Sequence, residues 1–287
     1  MNRKILVTGA NGQLGSELKA LSANPEIQHS FIFTDIDTLD LTNKSDTLAF
    51  LHKANPDLIL NCAAYTAVDK AESDAKMAEL LNAGIPATLK DFSDVSGARI
   101  IHISTDYVFP GDKPSPLKES DETGPKSEYG RSKLKGEKIL IESKNSMIIR
   151  TSWLHSSFGK NFVKSMLSLM KERRELRVVY DQTGSPTYAE DLASAILKIA
   201  SIDGPWPNGI YHYSNEGVTS WFDLTCEIKN YTGSACKIIP IETKDYPLPA
   251  TRPAYAVLNK EKIKRQFDLD IPHWKSGLIR CLDKIIQ

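Results

Sequence analysis

The chain has 287 residues with 36 basic and 36 acidic side chains, so its formal net charge is zero. Its hydrophobic fraction of 41% and charged fraction of 25% are ordinary globular values and argue against a disordered or fibrous protein. A neutral chain exerts no long-range attraction on nucleic acid or an anionic membrane, and no apolar run reaches the ~18 residues that span a bilayer. We therefore expect neither a nucleic acid nor a membrane as partner.

Short apolar runs, rich in β-branched and aromatic residues, alternate with longer amphipathic stretches in the first half of the chain. The runs begin at Lys4, Phe31, Leu58, Arg99 and Met147. Runs of this length are typical of strands buried on both faces of a parallel sheet. The stretches between them predict helices over residues 13–21, 44–54 and 129–142. This alternation predicts an α/β fold with a doubly wound parallel sheet of the Rossmann type.

After about residue 155 the pattern is less regular. Helical stretches at 162–172, 189–200 and 221–231 alternate with strand-like runs at 176–179, 209–213 and 237–241. We expect a dinucleotide-binding Rossmann domain over residues 1–155 and a smaller α/β lobe, mainly substrate-binding, over 156–287, with some segments returning to the first domain. Residues 251–287 carry 8 basic and 4 acidic side chains, which favours a solvated helical surface over one that faces an anionic substrate.

A glycine-rich loop joins the first predicted strand to the first predicted helix. Its glycines are spaced GxxGxxG, a variant of the GxGxxG dinucleotide fingerprint. Glycines so spaced permit a tight turn, close approach of the backbone to a pyrophosphate, and phosphate binding by the free N–H groups of the helix start. A simple glycine-rich turn is the alternative. The cofactor-binding residues predicted in this loop are Gly9, Asn11, Gly12, Gln13, Leu14 and Gly15.

An acidic residue ends the second predicted strand. Asp35 follows Gly15 by 20 residues, the offset of the acid that holds the adenosine ribose in dinucleotide-binding folds. No Arg or Lys lies within six residues of Asp35, so the cofactor is NADH or NADPH, with NADH favoured. The alternative is that Asp35 only caps a turn. Asp40 and Leu41, just beyond, are candidates for contact with the adenine.

Small side chains follow the third predicted strand. Ala63, Ala64 and Tyr65 lie directly after it, at the carboxyl edge of the expected sheet. Small residues there allow a cofactor to lie close against the backbone, although plain core packing is the alternative. We assign these three residues to the cofactor site.

Residues suited to proton transfer follow the fourth predicted strand. Tyr129 and Lys133 form a YxxxK motif, whose i,i+4 spacing puts phenol and ammonium on one helix face. A neighbouring cation is expected to lower the pKa of the phenol, which suits it to exchange a proton with an alcohol or ketone. Thr105 ends the strand where ligands bind and is placed to hold a carbonyl, with Ser104 orienting the site and Asp106 contacting the substrate. A run that only caps the next turn is the alternative for these three residues.

Together these motifs resemble the extended short-chain dehydrogenase/reductases and, more narrowly, the dTDP-4-dehydrorhamnose reductase family. The resemblance runs along most of the chain. Its segments are NCAAYTAVDKAE (61–72), STDYVFPG (104–111), YGRSKLKGE (129–137), RTSWL (150–154), DQTGSPT (181–187) and the Arg-Pro pair at 252–253. STDYVF with DQxGxPT is considerably more specific than GxxGxxG or YxxxK, which the wider superfamily shares.

The resemblance implies a role for each matching residue. It implies reduction of the C4 ketone of a dTDP-4-dehydro-6-deoxysugar, with Tyr129 as proton donor, Lys133 on the nicotinamide ribose and Thr105 on the ketone. It also implies substrate contacts for the following residues: Thr66, Val68, Thr105, Asp106, Tyr129, Trp153 and Arg252. Arginine suits a diphosphate because its fork binds two oxygens.

Two features depart from the family pattern. Residues 256–258 read Ala-Val-Leu where the family usually has SxL. Some members dimerise through acidic residues and magnesium, but the last four residues here, 284–287, contain no acid. We therefore expect no metal, and a monomer or a weak homodimer.

Two other functions fit the same motifs. One is a non-catalytic regulatory subunit of this fold, such as the β subunit of methionine adenosyltransferase, which would bind cofactor without oxidising it. The other is a nucleotide-sugar epimerase or dehydratase. Dehydratases typically carry Glu where this chain has Tyr107, and epimerases hold NAD tightly. The intact set of Thr105, Tyr129 and Lys133 favours the reductase.

The cysteines and the N-terminus bear on location. The four cysteines lie far apart without a CxxC pair, which favours reduced thiols over disulfides or a zinc site. The first residues enter a strand directly, with no signal-peptide pattern. We expect a cytoplasmic enzyme.

Overall fold

The structure, a computed structural model, describes residues 2–286. Its strands are β1 (Lys4–Thr8), β2 (Ser30–Thr34), β3 (Leu58–Asn61), β4 (Arg99–Thr105), β5 (Ser146–Thr151), β6 (Leu154–His155), β7 (Glu175–Val179), β8 (Thr183–Gly184), β9 (Thr187–Tyr188), β10 (Gly209–His212), β11 (Thr219–Ser220), β12 (Lys237–Ile241) and β13 (Tyr255–Ala256). Its α-helices are α1 (Gln13–Leu21), α2 (Lys44–Ala54), α3 (Val68–Ala71), α4 (Ala75–Glu79), α5 (Ile85–Ser96), α6 (Glu128–Leu140), α7 (Phe162–Glu172), α8 (Ala189–Ala200), α9 (Trp221–Thr232), α10 (Glu261–Phe267) and α11 (Trp274–Ile286). A π-helical turn, Leu80–Gly84, joins α4 to α5, and Asp106–Val108 and Thr243–Asp245 are 3-10 turns.

A six-stranded sheet in the order β10-β5-β4-β3-β1-β2 forms the centre of the molecule. Every neighbouring pair in it is parallel. The chain runs from β1 to β2 on one side and from β3 through β5 on the other, so the order reverses between β1 and β3. Ligands of doubly wound folds bind outside the carboxyl ends of the strands at such a point. The predicted doubly wound sheet is confirmed.

Alternate residues of the central strands enter two separate apolar layers. In β1, Ile5 and Val7 pack in one layer with Leu192 of α8. Leu6, between them, packs in the other with Leu89 of α5. Because successive strand residues face opposite sides of a sheet, a continuously apolar run is what two covered faces require.

Several predicted elements have the observed bounds. Helices α1 and α2 begin and end at the predicted residues. Helix α6 begins one residue earlier than predicted, because the Ser127 side chain caps it by accepting the Gly130 N–H. The sequence analysis gave no helix for residues 68–96, where α3, α4 and α5 lie.

The second half of the chain builds smaller sheets beside the first. Strands β7 and β12 pair in parallel, β8 lies between β11 and β13, and β6 pairs with β9. Strand β10 returns to the central sheet beside β5. A third apolar layer, under α7, α9 and α11, forms the core of the second lobe. The domain boundary at residue 155 stays a prediction.

The basic C-terminal segment is not only a solvated surface. Helix α11 buries Trp274, Leu278 and Leu282 in the core of the second lobe. The solvated surface expected for residues 251–287 is therefore only one face of this amphipathic helix. No helix within residues 2–286 is long and apolar enough to cross a membrane.

Candidate active site

One cleft of about 1270 Å³ opens at the carboxyl edge of the central sheet, between the sheet and the second lobe. Most of the predicted site residues line it. These are Gly9, Asn11, Gly12, Gln13, Leu14, Gly15, Ala64, Thr66, Val68, Ser104, Thr105, Asp106, Tyr129, Lys133, Trp153 and Arg252. The fold thus brings the glycine loop, the proton-transfer residues and residues of the second lobe to a single cleft.

The glycine loop passes so close to its neighbours that side chains are excluded. Gly9 has φ +65°, and a Cβ on it would lie 2.7 Å from the Ala63 nitrogen of the chain after β3. A Cβ on Gly15 would lie 2.3 Å from the Gly9 carbonyl oxygen. Helix α1 starts after Gly12 with no side-chain cap, so its first N–H groups remain available to an anion. The loop therefore has the form that a dinucleotide pyrophosphate needs.

Asp35 braces this loop from the end of β2. One carboxylate oxygen accepts the Asn11 backbone N–H over 2.8 Å, and the other accepts the N–H of Ile36, also over 2.8 Å. Asp35 does not itself line the cleft, although its contact with Asn11 puts it at the cleft's rim. Its carboxylate keeps lone pairs for a ribose hydroxyl, because each oxygen can accept two hydrogen bonds.

Four other predicted cofactor residues lie outside the cleft lining. Asp40 caps a turn by accepting the N–H and the hydroxyl of Thr42, and Leu41 is buried in the core. Ala63 supplies backbone against the glycine loop. Tyr65 is buried and donates its hydroxyl to Asp74. The contacts seen for Asp40, Leu41 and Tyr65 are structural, and their roles toward a cofactor stay predictions.

The proton-transfer residues meet at the junction of β4 and α6. The Thr105 hydroxyl donates to Oδ1 of Asp106 over 2.9 Å, and its oxygen accepts the Tyr107 N–H. Burial raises the pKa of Tyr129 to about 12, and a hydrogen bond with Thr105 opposes that rise. Burial also raises the pKa of Asp106 to about 7, and its Oδ2 has no hydrogen-bond partner within residues 2–286. The site therefore holds a neutral phenol and a carboxyl that titrates near neutrality.

Lys133 does not act on Tyr129 as the motif alone predicts. Its ammonium donates to the Ile103 carbonyl over 2.6 Å and lies 3.3 Å from Nε2 of His102, on the strand behind the site. Burial lowers the pKa of Lys133 to about 8. The expected lowering of the Tyr129 pKa is absent, because burial of the phenol raises it and the opposing effect comes from a hydrogen bond with Thr105, not from Lys133.

Two aromatic rings close the far wall of the cleft. Trp153 has a left-handed backbone, φ +49°, which is rare outside glycine and costs of the order of 1 kcal/mol. Its ring stacks on Trp221 with centroids 3.5 Å apart, and Gly184 packs so close that a Cβ there would lie 2.6 Å from the indole. Both indoles line the cleft, so this stacked pair forms an aromatic part of its wall.

An arginine spans the opening between the lobes. Arg252 pairs in bidentate fashion with Asp69, in the first turn of α3, over 3.0 and 2.7 Å. The Arg252 guanidinium lowers the pKa of Asp69 through these hydrogen bonds. Arg252 thus lies in the cleft with its charge already oriented by a carboxylate.

The comparisons with known proteins agree with this geometry. The sequence profile of the family described as "RmlD substrate binding domain" matches residues 3–287. The chain belongs to that family. A curated relative, the dTDP-4-dehydrorhamnose reductase of Sinorhizobium fredii, is 40% identical over 291 residues, covering 97% of this chain and 96% of that protein.

Solved structures of the RmlD family have the same fold. A dTDP-4-dehydrorhamnose reductase of Clostridium acetobutylicum is 39% identical with a TM-score of 0.93, over 99% of this chain and all of that one. The same enzyme from Bacillus anthracis, solved in complex with NADP, is 38% identical with a TM-score of 0.94 over the same shares. The family resemblance seen in the sequence is confirmed.

In this RmlD family member, a buried ion pair that sequence reasoning missed anchors helix α6, which carries Tyr129 and Lys133. Glu137 lies two turns after Tyr129 on α6 and pairs with Arg150 of β5 over 2.6 Å, with both side chains only 2% exposed. The Ser104 hydroxyl donates to the same carboxylate. The Ser104 hydroxyl is therefore used by Glu137, and its predicted role in orienting the site stays a prediction. The signal available in the sequence was the i+8 spacing of Glu137 from Tyr129, which places both on one helix face.

No group of three or more His, Cys, Asp or Glu within residues 2–286 is arranged to hold a metal ion. Trp221 and Asp69 are further cleft residues that the sequence analysis did not single out. Asp69 lies within the NCAAYTAVDKAE segment quoted above, whereas Trp221 carried no signal beyond its aromatic side chain.

Proposed function

We propose that this chain reduces the C4 ketone of dTDP-4-dehydro-L-rhamnose to dTDP-L-rhamnose at the expense of NADH or NADPH. The observation that carries the proposal is the cleft, which joins a pyrophosphate-binding loop to Thr105, Tyr129 and Lys133. Membership of the RmlD family and relatives named as this reductase support the substrate class.

The nicotinamide, when bound, supplies the hydride. The unpaired backbone N–H groups at the start of α1, those of Gln13 and Leu14, would hold its pyrophosphate, and Lys133 would direct an N–H to its ribose. Tyr129, a neutral phenol at physiological pH because its pKa is about 12, donates its proton to the C4 oxygen. This is the direction of proton transfer that a reduction needs.

Thr105 and Asp106 share the task of holding the ketone. In the free protein the Thr105 hydroxyl donates a hydrogen bond to the Asp106 carboxylate. Because the pKa of Asp106 is raised to about 7, a large share of Asp106 is protonated at neutral pH and donates to Thr105 instead. The Thr105 proton is then free to hydrogen-bond the C4 oxygen and stabilise the charge that develops there.

The remaining assignments concern recognition. Trp153 presents its indole face to the deoxysugar, with Thr66 and Val68 on the opposite wall, and Arg252 binds the diphosphate. Only part of the guanidinium is used by Asp69, since arginine has five N–H donors. The cleft, with a volume of about 1270 Å³, is large enough for both the cofactor and a nucleotide sugar.

We infer that NADH is preferred over NADPH. The carboxylate of Asp35 stands at the end of β2, where it accepts ribose hydroxyls and repels a 2′-phosphate. The Bacillus anthracis relative was solved with NADP, so the two rates need direct comparison. We also propose that the protein works in the cytoplasm as a monomer or weak homodimer. Its four free thiols support a reducing compartment, and light scattering gives the mass in solution.

The deciding experiment follows cofactor oxidation with enzymatically generated dTDP-4-dehydro-L-rhamnose. Wild type should oxidise NADH faster than NADPH. Tyr129→Phe should lower kcat by about 10²–10⁴-fold without weakening cofactor binding, because only the proton donor is lost. Tyr231→Phe is a matched control, since Tyr231 lies on the surface of α9 with its hydroxyl on Asp283.

Each alternative function has its own signature in that experiment. Cofactor binding without oxidation by wild type would support the regulatory subunit. NAD that stays bound at one per chain through gel filtration would support an epimerase or dehydratase. Equal turnover by Tyr129→Phe and wild type would remove Tyr129 from the mechanism.

A further inference from the structure

A buried histidine lies directly behind the catalytic lysine. His102 is fully buried in β4 and does not line the cleft. Its Nε2 is 3.3 Å from Nζ of Lys133, and its Nδ1 is 2.9 Å from the side-chain amide nitrogen of Asn61 in β3, so the amide as placed here donates to Nδ1. That amide in turn lies 2.8 Å from the Thr8 hydroxyl in β1. A polar chain therefore runs through the centre of the sheet and ends on Lys133.

The geometry accounts for two of the three N–H donors of Lys133. The Ile103 carbonyl takes one over 2.6 Å, and His102 Nε2 lies in position to take the second. An ammonium is a flexible point charge whose three donors rotate together. When two N–H groups are held by acceptors in the sheet, the direction of the third N–H is fixed as well. Lys133 lines the cleft, so the third N–H is directed there.

We infer that His102 is a positioning residue for Lys133: by accepting one N–H, it turns the remaining N–H toward the nicotinamide ribose. This inference rests on the reductase function proposed above. His102 touches neither cofactor nor substrate, so it acts only through Lys133.

The inference requires one of the two neutral tautomers of His102. Nε2 can accept from an ammonium only if the proton of the neutral ring is on Nδ1. Asn61 must then present its carbonyl oxygen to Nδ1 and its NH₂ group to Thr8. A half-turn of the amide achieves this without moving any other heavy atom, and Thr8 can accept as readily as it donates.

The surrounding charges keep this arrangement in one state near neutral pH. Burial lowers the pKa of His102 well below its usual range, so the ring stays neutral, and burial raises the pKa of the Cys62 thiol beside Lys133 to about 12. Glu137, one turn further along α6, is the negative charge that favours the ammonium. Tyr129, one turn back, is a neutral phenol. Since a hydrogen bond to a neutral acceptor favours the charged lysine, loss of His102 should lower the pH at which Lys133 loses its proton.

Two polar substitutions separate positioning from structure. The amide of His102→Gln reaches the place of Nε2 and can still accept from Lys133, whereas that of His102→Asn reaches only the place of Nδ1 and satisfies Asn61 alone. His212→Asn is the control, because His212 is equally buried in β10 but bonds the Leu117 carbonyl.

The readouts are the NADH dissociation constant, kcat, and the pH profile of kcat/KM. His102→Asn should weaken NADH binding and lower kcat by about tenfold each, and shift the alkaline limb down by about one pH unit, as expected for one lost hydrogen bond to a charge. His102→Gln should stay within about threefold of wild type, as one retained hydrogen bond implies. His212→Asn should leave the NADH dissociation constant, kcat and the pH profile unchanged, although it should lower the melting temperature. Equal behaviour of the Gln and Asn variants would overturn the inference.

A measurement on the wild type covers the case in which the variants fail to fold. Nitrogen NMR of histidine-labelled protein distinguishes the two neutral tautomers, and His102 should carry its proton on Nδ1 between pH 6 and 7, where Lys133 is still an ammonium because its pKa is about 8. A proton on Nε2 would refute the inference. If wild type binds NADH but reduces no sugar, the proposed function fails, while the NADH dissociation constants and the tautomer still decide the role of His102.

Discussion

Asp106 offers a test of the electrostatics of the site that needs no substrate. Its carboxyl is buried, one oxygen accepts from Thr105 and the other has no partner within residues 2–286. Burial raises its pKa from 3.8 to about 7. A group whose pKa is raised on folding binds its proton more tightly in the folded state, so its charged form opposes folding.

The size of the effect follows from that shift. At low pH Asp106 is protonated in both the folded and the unfolded state, so its ionisation does not lower the free energy of unfolding. The loss of stability grows as the pH rises above 3.8 and levels off above about 7. At about 1.4 kcal/mol per tenfold change in the proton equilibrium, the cost should grow by about 2.5 kcal/mol between pH 5 and pH 8. Asp106→Asn cannot ionise and should not show this loss.

The assay is urea unfolding of wild type and Asp106→Asn at several pH values. We expect the free energy of unfolding of the variant, relative to wild type, to rise with pH and to reach a plateau near pH 8. Comparing the two proteins at each pH cancels the titration of the other groups. Asp270→Asn, at an exposed aspartate, is the control and should show no such trend. A difference between variant and wild type that stays constant from pH 5 to 8 would refute the burial argument.

Two further substitutions test the frame of the site. Glu137→Gln should lower the free energy of unfolding by about 3 kcal/mol, because Arg150 stays buried without its charge partner, while Glu128→Gln, at a half-buried position on the same helix with an Arg131 partner at the surface, should cost less than about 0.5 kcal/mol. Urea unfolding measures both, and equal costs would contradict the buried-pair argument. Gly15→Ala should weaken NADH binding at least tenfold, as displacement of the phosphate loop implies, because its Cβ would lie 2.3 Å from the Gly9 carbonyl. Gly124→Ala, with no atom nearer than 3.6 Å, is its control in a fluorescence titration, and tolerance of both alanines would show that the loop does not need the close approach.

The sequence predicted the central sheet and the meeting of the proton-transfer residues for a physical reason. Apolar runs of strand length separated by helices leave one arrangement with both faces covered, and the carboxyl ends of parallel strands share one edge. Thr105 ends a strand and Tyr129 begins the next helix, so their proximity follows from chain order. GxxGxxG indicates its own loop because only glycine fits at Gly9 and Gly15.

What the sequence did not predict depends on directions within the core. The i,i+4 spacing puts Lys133 beside Tyr129, but it does not reveal that the ammonium bonds back to β4. His102 and Asn61 sit inside apolar runs, where a polar side chain gives no sign of its partner. The pairing of Glu137 with Arg150 likewise requires the packing of α6 on β5. Asp40 and Leu41 matched a position along the chain, yet their side chains face a turn and the core.

The buried pair of Glu137 and Arg150 has a consequence for local unfolding of the protein. Local openings expose parts of a protein at a lower free energy than global unfolding when few buried contacts hold them. Helix α6 can detach from β5 only by leaving a guanidinium and a carboxylate unpaired in the core, which costs about as much as a small domain's margin of stability. Its backbone amides therefore exchange with solvent at the pace of the whole sheet. We therefore expect the arrangement of Thr105, Tyr129 and Lys133 to persist when the second lobe frays, although the cleft wall that this lobe supplies is then lost.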